Sequence, residues 1–137
     1  MKEGTFRLEV VTPEKLFLEM DVKFLVLPEP DGEIGVLRNH IPIVAALDPG
    51  VLSYTDAEDR VRKIAIGGGF FRFEKNQARV LAESAENADD IDVERAHRSM
   101  ERARERINKR DEKVNQIRAE LSLKRSIARI KAAATKR

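Results

Sequence analysis

The sequence predicts an α+β protein: a β-sandwich head followed by a two-helix antiparallel hairpin. All seven Gly, all five Pro and every aromatic residue lie at or before position 73. Turn residues and aromatics favour short strands, whereas a segment without them that is rich in Ala, Arg, Glu and Lys favours helix. The composition changes near residues 86–90, so we predict a head over 1–87 and a helical domain over 88–137.

The charge changes at the same boundary. Residues 1–87 carry 11 Lys/Arg against 15 Asp/Glu, whereas residues 88–137 carry 15 against nine. The whole chain has a net charge of only +2, which is not typical of a nucleic-acid-binding protein. Cysteine is absent, which excludes disulfides and Cys-ligated metals. No apolar run is long enough to span a bilayer and we expect no signal peptide, so any membrane association depends on a partner protein.

Apolar residues alternate with polar ones along several stretches of the head, as in Phe6, Leu8 and Val10. The alternation recurs at Val22, Phe24, Val26, Ile64, Ile66, Phe71, Phe73, Ala78, Val80 and Ala82. A period of two is typical of antiparallel strands with one buried face. A single open sheet would leave that face in water, so the pattern predicts a small sandwich.

The second domain reads as two helices. Acidic residues at 89, 90 and 92 suit a helix N-terminus, where the macrodipole favours negative charge. Apolar residues at roughly seven-residue spacing form a seam: Val93, Ala96, Met100, Ala103, Ile107, Val114, Ile117, Leu121 and Ala128. Residues 108–111 are the best candidate for the turn, yet they contain neither Gly nor Pro, so one long helix stays an alternative. An Ala-rich seam stabilises packing only weakly. The helices therefore form either an ordinary hairpin packed on the head or a mobile arm.

The usual catalytic constellations are absent from the sequence. There is no Cys, and His40 and His97 lie in different segments. Gly67-Gly68-Gly69 precedes a strand-like Phe-Phe-Arg-Phe, so it predicts a bend where backbones approach closely and not a phosphate-binding loop. We therefore expect no enzyme, with no catalytic residue, no metal and no catalytic cofactor. We interpret His40 as a structural or interface residue.

The arginines of the second domain are spaced for an anion site. Arg95 and Arg102 are seven residues apart, as are Arg118 and Arg125, and Arg129 follows Arg125 by four. An antiparallel hairpin would bring the two sets together, and converging guanidiniums need an anion between them. Their planar fork suits phosphate. The alternative is a solvated charged face with helical ion pairs.

Three motifs together resemble one family. Residues 32–42 are similar to the loop Gly-Glu-x-Gly-Ile-Leu-Pro-Gly-His-x-Pro, with Arg38-Asn39 in place of Pro-Gly. Gly68-Gly69-Phe70 matches a Gly-Gly-Phe after a strand, and Ile91 to Ala96 match an Ile/Leu-Asp-x-x-Arg-Ala motif. In this order and spacing, over essentially the whole chain, they resemble the epsilon subunits of F-type ATP synthases.

The resemblance implies a non-catalytic central-stalk subunit of a proton- or sodium-driven ATP synthase. It implies a ten-stranded head that binds the gamma subunit and rests on the c ring. It also implies a helical tail that is compact with ATP bound and inhibits ATP hydrolysis when it extends into the alpha–beta catalytic ring. The expected location is the cytoplasmic face of the cell membrane, peripheral and held only through the complex, with no nucleic-acid partner.

The resemblance also implies individual site residues. Glu33 corresponds to the c-ring contact, and His40 lies on surface expected to face gamma. The regulatory ATP would be bound by Glu86, Ile91, Asp92, Arg95, Arg102, Arg125 and Arg129. Two other protein classes stay open: a nucleic-acid-binding module that uses the basic tail, and a coiled-coil adaptor. Interleaved acids argue against the first, and Arg110 and Lys124 on the seam argue against the second.

Overall fold

The computed structural model describes residues 3–109 and 113–134. Within these ranges the chain forms a seven-stranded head, a short 3-10 helix and two α-helices. The elements are β1 Phe6–Val11, β2 Leu16–Glu29, β3 Gly32–Leu37, β4 Ile43–Asp56, β5 Val61–Glu74, β6 Gln77–Ala82, β7 Ala85–Asn87, the 3-10 helix Ala88–Asp90, α1 Val93–Lys109 and α2 Lys113–Ala134. Neither described helix is long and apolar enough to cross a membrane.

The strands close on themselves. The order β1-β6-β5-β4-β2 returns to β1 through a β1–β2 pairing, while β3 extends from β2 and β7 pairs with β5. Closure leaves few exposed edges, which limits unwanted strand pairing. The pairing is antiparallel except between β1 and β6, where Arg7 lies opposite Gln77 in a parallel register. The alternation, which is typical of antiparallel strands, did not reveal this parallel pair, because alternation reports burial and not strand direction.

The strand count also differs from the ten that the resemblance implies. Three of the seven described strands, β2, β4 and β5, are 14 residues long. β2 pairs with β1 along its first half and with β3 along its second. β5 pairs first with β7 and then with β6. Each of β2 and β5 thus pairs with different neighbours along its two halves, and the described head has seven strands where ten were expected.

The core of the head confirms most of the predicted alternation. Phe6, Leu8 and Val10 are fully buried, and the rings of Phe6 and Phe73 meet edge to face at 5.5 Å. Phe24 and Val26 are exceptions, because Phe24 is 38% exposed and Val26 is only partly buried. The β2–β4 register shifts between Val22 and Phe24, and such an irregularity moves the following side chains to the other face of the sheet.

The Gly67-Gly68-Gly69 run forms the predicted close approach. Gly68 and Gly69 have φ angles of +98° and +146°. A Cβ atom on Gly69 would overlap the backbone carbonyl of Leu81 in β6. Glycine is therefore required here by both conformation and space.

Asn39 shows how the loop tolerates the replacement of Pro-Gly by Arg38-Asn39. Its φ is +68°, in the left-handed region that Gly adopts readily and Asn adopts more often than most residues. The Asn39 backbone N–H donates to Asn76 Oδ1 at 2.7 Å, and Asn76 Nδ2 donates to Asn39 Oδ1 at 2.9 Å. A side-chain pair thus fixes the loop in the conformation that glycine would provide.

Candidate anion-binding site between the head and the second helix

Helix α2 packs on the head through small apolar residues. Ala128, Ala132 and Ala133 form one buried cluster with Ala65, Ala88 and Ile91. Because helical residues are spaced by about 100°, Ala128 and Ala132 lie about 40° apart on one face of α2. This face holds the helix against β5 and the 3-10 helix.

The opposite face of α2 is also buried. Ala119 and Ser126, seven residues apart, are each 1% exposed. On the helical wheel Ser126 lies about 160° from Ala128, so it points away from the head. In α1 the buried residues Ala96 and Ala103 repeat the same spacing. We infer that small residues on both helices let α1 and α2 approach closely, with α2 between α1 and the head.

A cleft opens beside the apolar cluster. Two arginines of α2, Arg125 and Arg129, line it together with Gly67, Ser84 and Glu86 of the head, and we call it the arginine cleft. Its volume is about 310 Å³. The absence of a side chain at Gly67 leaves room for its neighbours, because a Cβ there would overlap Ser84 Oγ and lie 3.4 Å from Arg125 Cδ.

The arginine cleft joins a head carboxylate to a guanidinium of α2. Arg129 Nε donates to Glu86 Oε1 at 3.1 Å, and both side chains are 37% exposed. A guanidinium has five N–H groups, so Arg129 has further donors for a second acceptor. Two guanidiniums against one carboxylate leave this lining with one net positive charge. The arrangement is suited to binding a phosphate group.

The motif residues at the start of α1 have structural roles. Ile91 is buried in the alanine cluster at 7% exposure. Asp92 Oδ1 accepts a hydrogen bond from the Arg95 backbone N–H at 3.0 Å, as an N-cap residue does. Ala96 is buried as well. The Ile-Asp-x-x-Arg-Ala motif therefore helps to start and seat α1, whether or not a ligand is present.

The structure brings together only part of the predicted ATP site. Glu86, Arg125 and Arg129 meet in the arginine cleft. Arg95 and Arg102 are exposed on α1 and are not among the residues that line this cleft in the described part of the chain. Arg102 donates to Ser99 Oγ on its own helix at 3.1 Å. Ser84 was missed because a single serine carries no charge or spacing signal.

Glu33 and His40 occupy different surroundings. Glu33 is exposed on β3 opposite Pro28. His40 is partly buried, with its ring edge-on to Phe73 at 5.9 Å and its Nδ1 at hydrogen-bond distance, 2.7 Å, from the carbonyl oxygen of Ile41. These contacts give His40 a structural role in the loop after β3.

Comparison with known proteins assigns the family. A profile of the ATP synthase delta/epsilon chain beta-sandwich domain matches residues 5–88, and one of the long alpha-helix domain matches residues 89–134. An ATP synthase epsilon chain from Syntrophomonas wolfei is 47% identical over 132 residues, or 96% of each chain. The chain therefore belongs to the ATP synthase delta/epsilon family, as an epsilon subunit of an F-type ATP synthase.

Two solved structures share the fold. A chain in the cryo-EM structure of the Euglena gracilis mitochondrial ATP synthase, OSCP/F1/c-ring, matches with a TM-score of 0.85 at 22% identity, covering 99% of this chain and 84% of that one. A chain of the Tetrahymena thermophila mitochondrial ATP synthase central stalk and c ring matches with a TM-score of 0.62 at 13% identity, covering 97% and 99%.

Proposed function

We propose that this epsilon subunit is a non-catalytic part of the rotor, whose head contacts the gamma subunit and the c ring on the cytoplasmic face of the cell membrane. The two structural neighbours come from assemblies that include the c ring and, in one case, the central stalk, which supports this placement. The helical domain inhibits ATP hydrolysis when it leaves the head and reaches the alpha–beta ring.

The regulatory ligand we propose is ATP, bound with its phosphates in the arginine cleft. The observation that carries this proposal is that Arg125 and Arg129 of α2 meet Glu86 of the head in one cleft. An anion bound there contacts both parts and favours the docked state, in which α2 lies on the head. A ligand that binds one conformation better shifts the population toward it.

The charge of α2 gives the two states different partners. Residues 118–137 carry seven Lys/Arg and one acidic residue, Glu120. In the docked state Arg125 and Arg129 are directed to the phosphates. When the helix is released, the same charges are available for an acidic surface of the catalytic ring. ATP and the catalytic ring therefore compete for one helix.

We expect Arg125→Ala and Arg129→Ala each to weaken ATP binding by the full-length chain about tenfold to a hundredfold. Hydrogen bonds to charged groups contribute on the order of 1.5–3 kcal/mol each. Isothermal titration calorimetry measures the change. Arg118→Ala removes an exposed arginine from the same helix and serves as the matched control. Unchanged ATP affinity in both cleft variants would refute the site.

The contribution of α1 is tested separately. If Arg95 joins the ligand as the motif implies, Arg95→Ala weakens ATP binding as well, although Arg95 does not line the cleft in the structure. If Arg95→Ala binds ATP as the wild type does, the phosphates contact only the residues of α2 and the head. Either result decides how much of the predicted arginine set belongs to the site.

The head proposal is tested by cross-linking in the assembled membrane complex. The chain has no Cys, so Glu33→Cys introduces a single thiol into the protein. We expect it to cross-link to the c ring. Glu14→Cys, at another exposed glutamate of the head, is the control and should cross-link much less. Cross-linking of position 33 to gamma alone would contradict the c-ring contact.

A further inference from the structure

A second ion pair ties α2 to the head, outside the arginine cleft. Lys124 Nζ donates to Asp48 Oδ2 at 3.1 Å and lies 3.5 Å from Oδ1. The Lys124 side chain is 51% exposed and that of Asp48 is 26% exposed. Asp48 lies within β4, next to Pro49, whose ring fixes the local backbone. The lysine is thus held by a rigid part of the head.

This pair and the arginine pair lie on either side of the apolar contact. Taking Lys124 as 0° on the helical wheel of α2, Ala128 and Ala132 fall near 40° and 80°, and Arg129 falls near 140°. Lys124 and Arg129 therefore lie on either side of the part of the face that carries Ala128 and Ala132. Two ion pairs, to Asp48 and to Glu86, define how the helix is rotated on the head.

The surfaces that Lys124 and the arginines occupy are separate. Lys124 lines a groove with Glu33, Pro49 and Ile127, which is distinct from the arginine cleft. An anion in the arginine cleft accepts from the N–H groups of Arg129 that Glu86 does not occupy. The same anion leaves the Asp48–Lys124 pair intact.

The apolar contact alone is a weak means of docking. The part of α2 that is buried against the head consists of alanines, whose side chains bury little area. Because the apolar contact stabilises docking only weakly, the loss of a single ion pair changes the fraction of docked α2 measurably.

We propose that Asp48 and Lys124 form a nucleotide-independent latch that positions α2 on the head. The latch holds the helix in register before any anion binds, so that Arg125 and Arg129 already face the arginine cleft. Its opening releases the charge of Lys124 together with the rest of α2. The inference rests on the proposed mobility of the helical domain, and it assigns Asp48 and Lys124 as positioning residues that do not touch the ligand.

The latch is tested without ATP in the full-length chain. Dyes on cysteines introduced at the exposed positions Glu14 and Glu120 report the proximity of α2 to the head by energy transfer. A series of low urea concentrations gives the docked-to-undocked ratio in water by linear extrapolation. We expect Lys124→Gln and Asp48→Asn each to lower this ratio about twofold to fivefold, as for exposed ion pairs.

Three further measurements separate a latch from a general charge effect. The double variant should lose no more than either single variant, and the charge swap Asp48→Lys with Lys124→Glu should restore docking. The loss should shrink at high salt, because screening weakens exposed pairs. Arg118→Gln, which removes the same charge from an exposed position of α2, should leave the ratio unchanged.

The outcomes distinguish the latch from the proposed mobility. Additive single effects, or an effect of Arg118→Gln equal to that of Lys124→Gln, would overturn the latch. The latch would also be overturned if Lys124→Gln and Asp48→Asn left docking unchanged while Ala132→Glu, which places a charge in the buried cluster, released α2. If Ala132→Glu also leaves the energy transfer unchanged, the helical domain is not mobile and the regulatory proposal itself fails.

Discussion

Gly69→Ala is expected to lower the free energy of unfolding of the head by about 4 kcal/mol or more, a size reserved for clashes and severe backbone strain. The residue has a φ of +146°, and an added Cβ would overlap the carbonyl of Leu81 across the β5–β6 pairing. β5 and β6 cannot move apart to relieve the overlap, because Phe71 and Val80, close to Gly69 and Leu81, are buried in the core. Urea denaturation followed by circular dichroism measures the loss.

Gly32→Ala is the matched control for Gly69→Ala. Its φ of +155° is close to that of Gly69, yet nothing lies within 4 Å of the Cβ position. The control therefore carries the backbone strain without the clash, and we expect a loss of about 1–3 kcal/mol. Equal losses at the two positions would show that the β5–β6 approach adjusts readily and that conformation alone requires glycine at position 69.

The head was largely predictable because its main signals are local. Alternation places Phe6, Leu8 and Val10 in the core, and the glycine run marks the bend of β5. Phe24 and Val26 were assigned to the wrong face because a register shift in β2 has no sequence signature of its own. The parallel β1–β6 pairing joins residues about 70 positions apart, and alternation contains no information on which distant strands meet.

The helical domain was predictable in type but less so in packing. The seven-residue seam correctly includes Ala96, Ala103 and Ala128, which are buried. It also includes Val93 at the start of α1, which is 39% exposed, and Ile117 and Leu121 of α2, which are 55% and 39% exposed. A single seam describes a helix with one buried face, whereas α2 is buried on two. The proposed turn at 108–111 lies partly outside the described residues, as do Arg110 and the side chain of Val114 on the seam.

For the candidate site, too, the sequence predicts which residues share a helix face but not how the elements pack against each other. Spacing shows that Arg125 and Arg129 share a face of α2, and family resemblance connects them with Glu86. Spacing does not fix the rotation of α1 against α2, so it could not show that Arg95 and Arg102 would lie outside the cleft lining. Asp48 and Lys124 were absent from the predicted site, because the contact depends on where β4 meets α2.

Ala132→Glu is expected to release α2 from the head and lower the docked-to-undocked ratio more than a hundredfold. Ala132 is fully buried in the alanine cluster. A carboxylate placed there loses its hydration, and the penalty is several kcal/mol for each buried ion, so the helix avoids it by undocking. Glutamate is a good helix former, and the helical signal in circular dichroism should therefore be kept.

Energy transfer between the head and α2 should fall in this variant with or without ATP. ATP affinity should fall too, because only the docked fraction presents the arginine cleft. Ala134→Glu, an exposed alanine of the same helix, should keep both docking and affinity. In the assembled ATP synthase, the proposed inhibition predicts that Ala132→Glu slows ATP hydrolysis at every ATP concentration. If an ATP synthase assembled with the Ala132→Glu subunit hydrolyses ATP at the wild-type rate, release of α2 is not the inhibitory step.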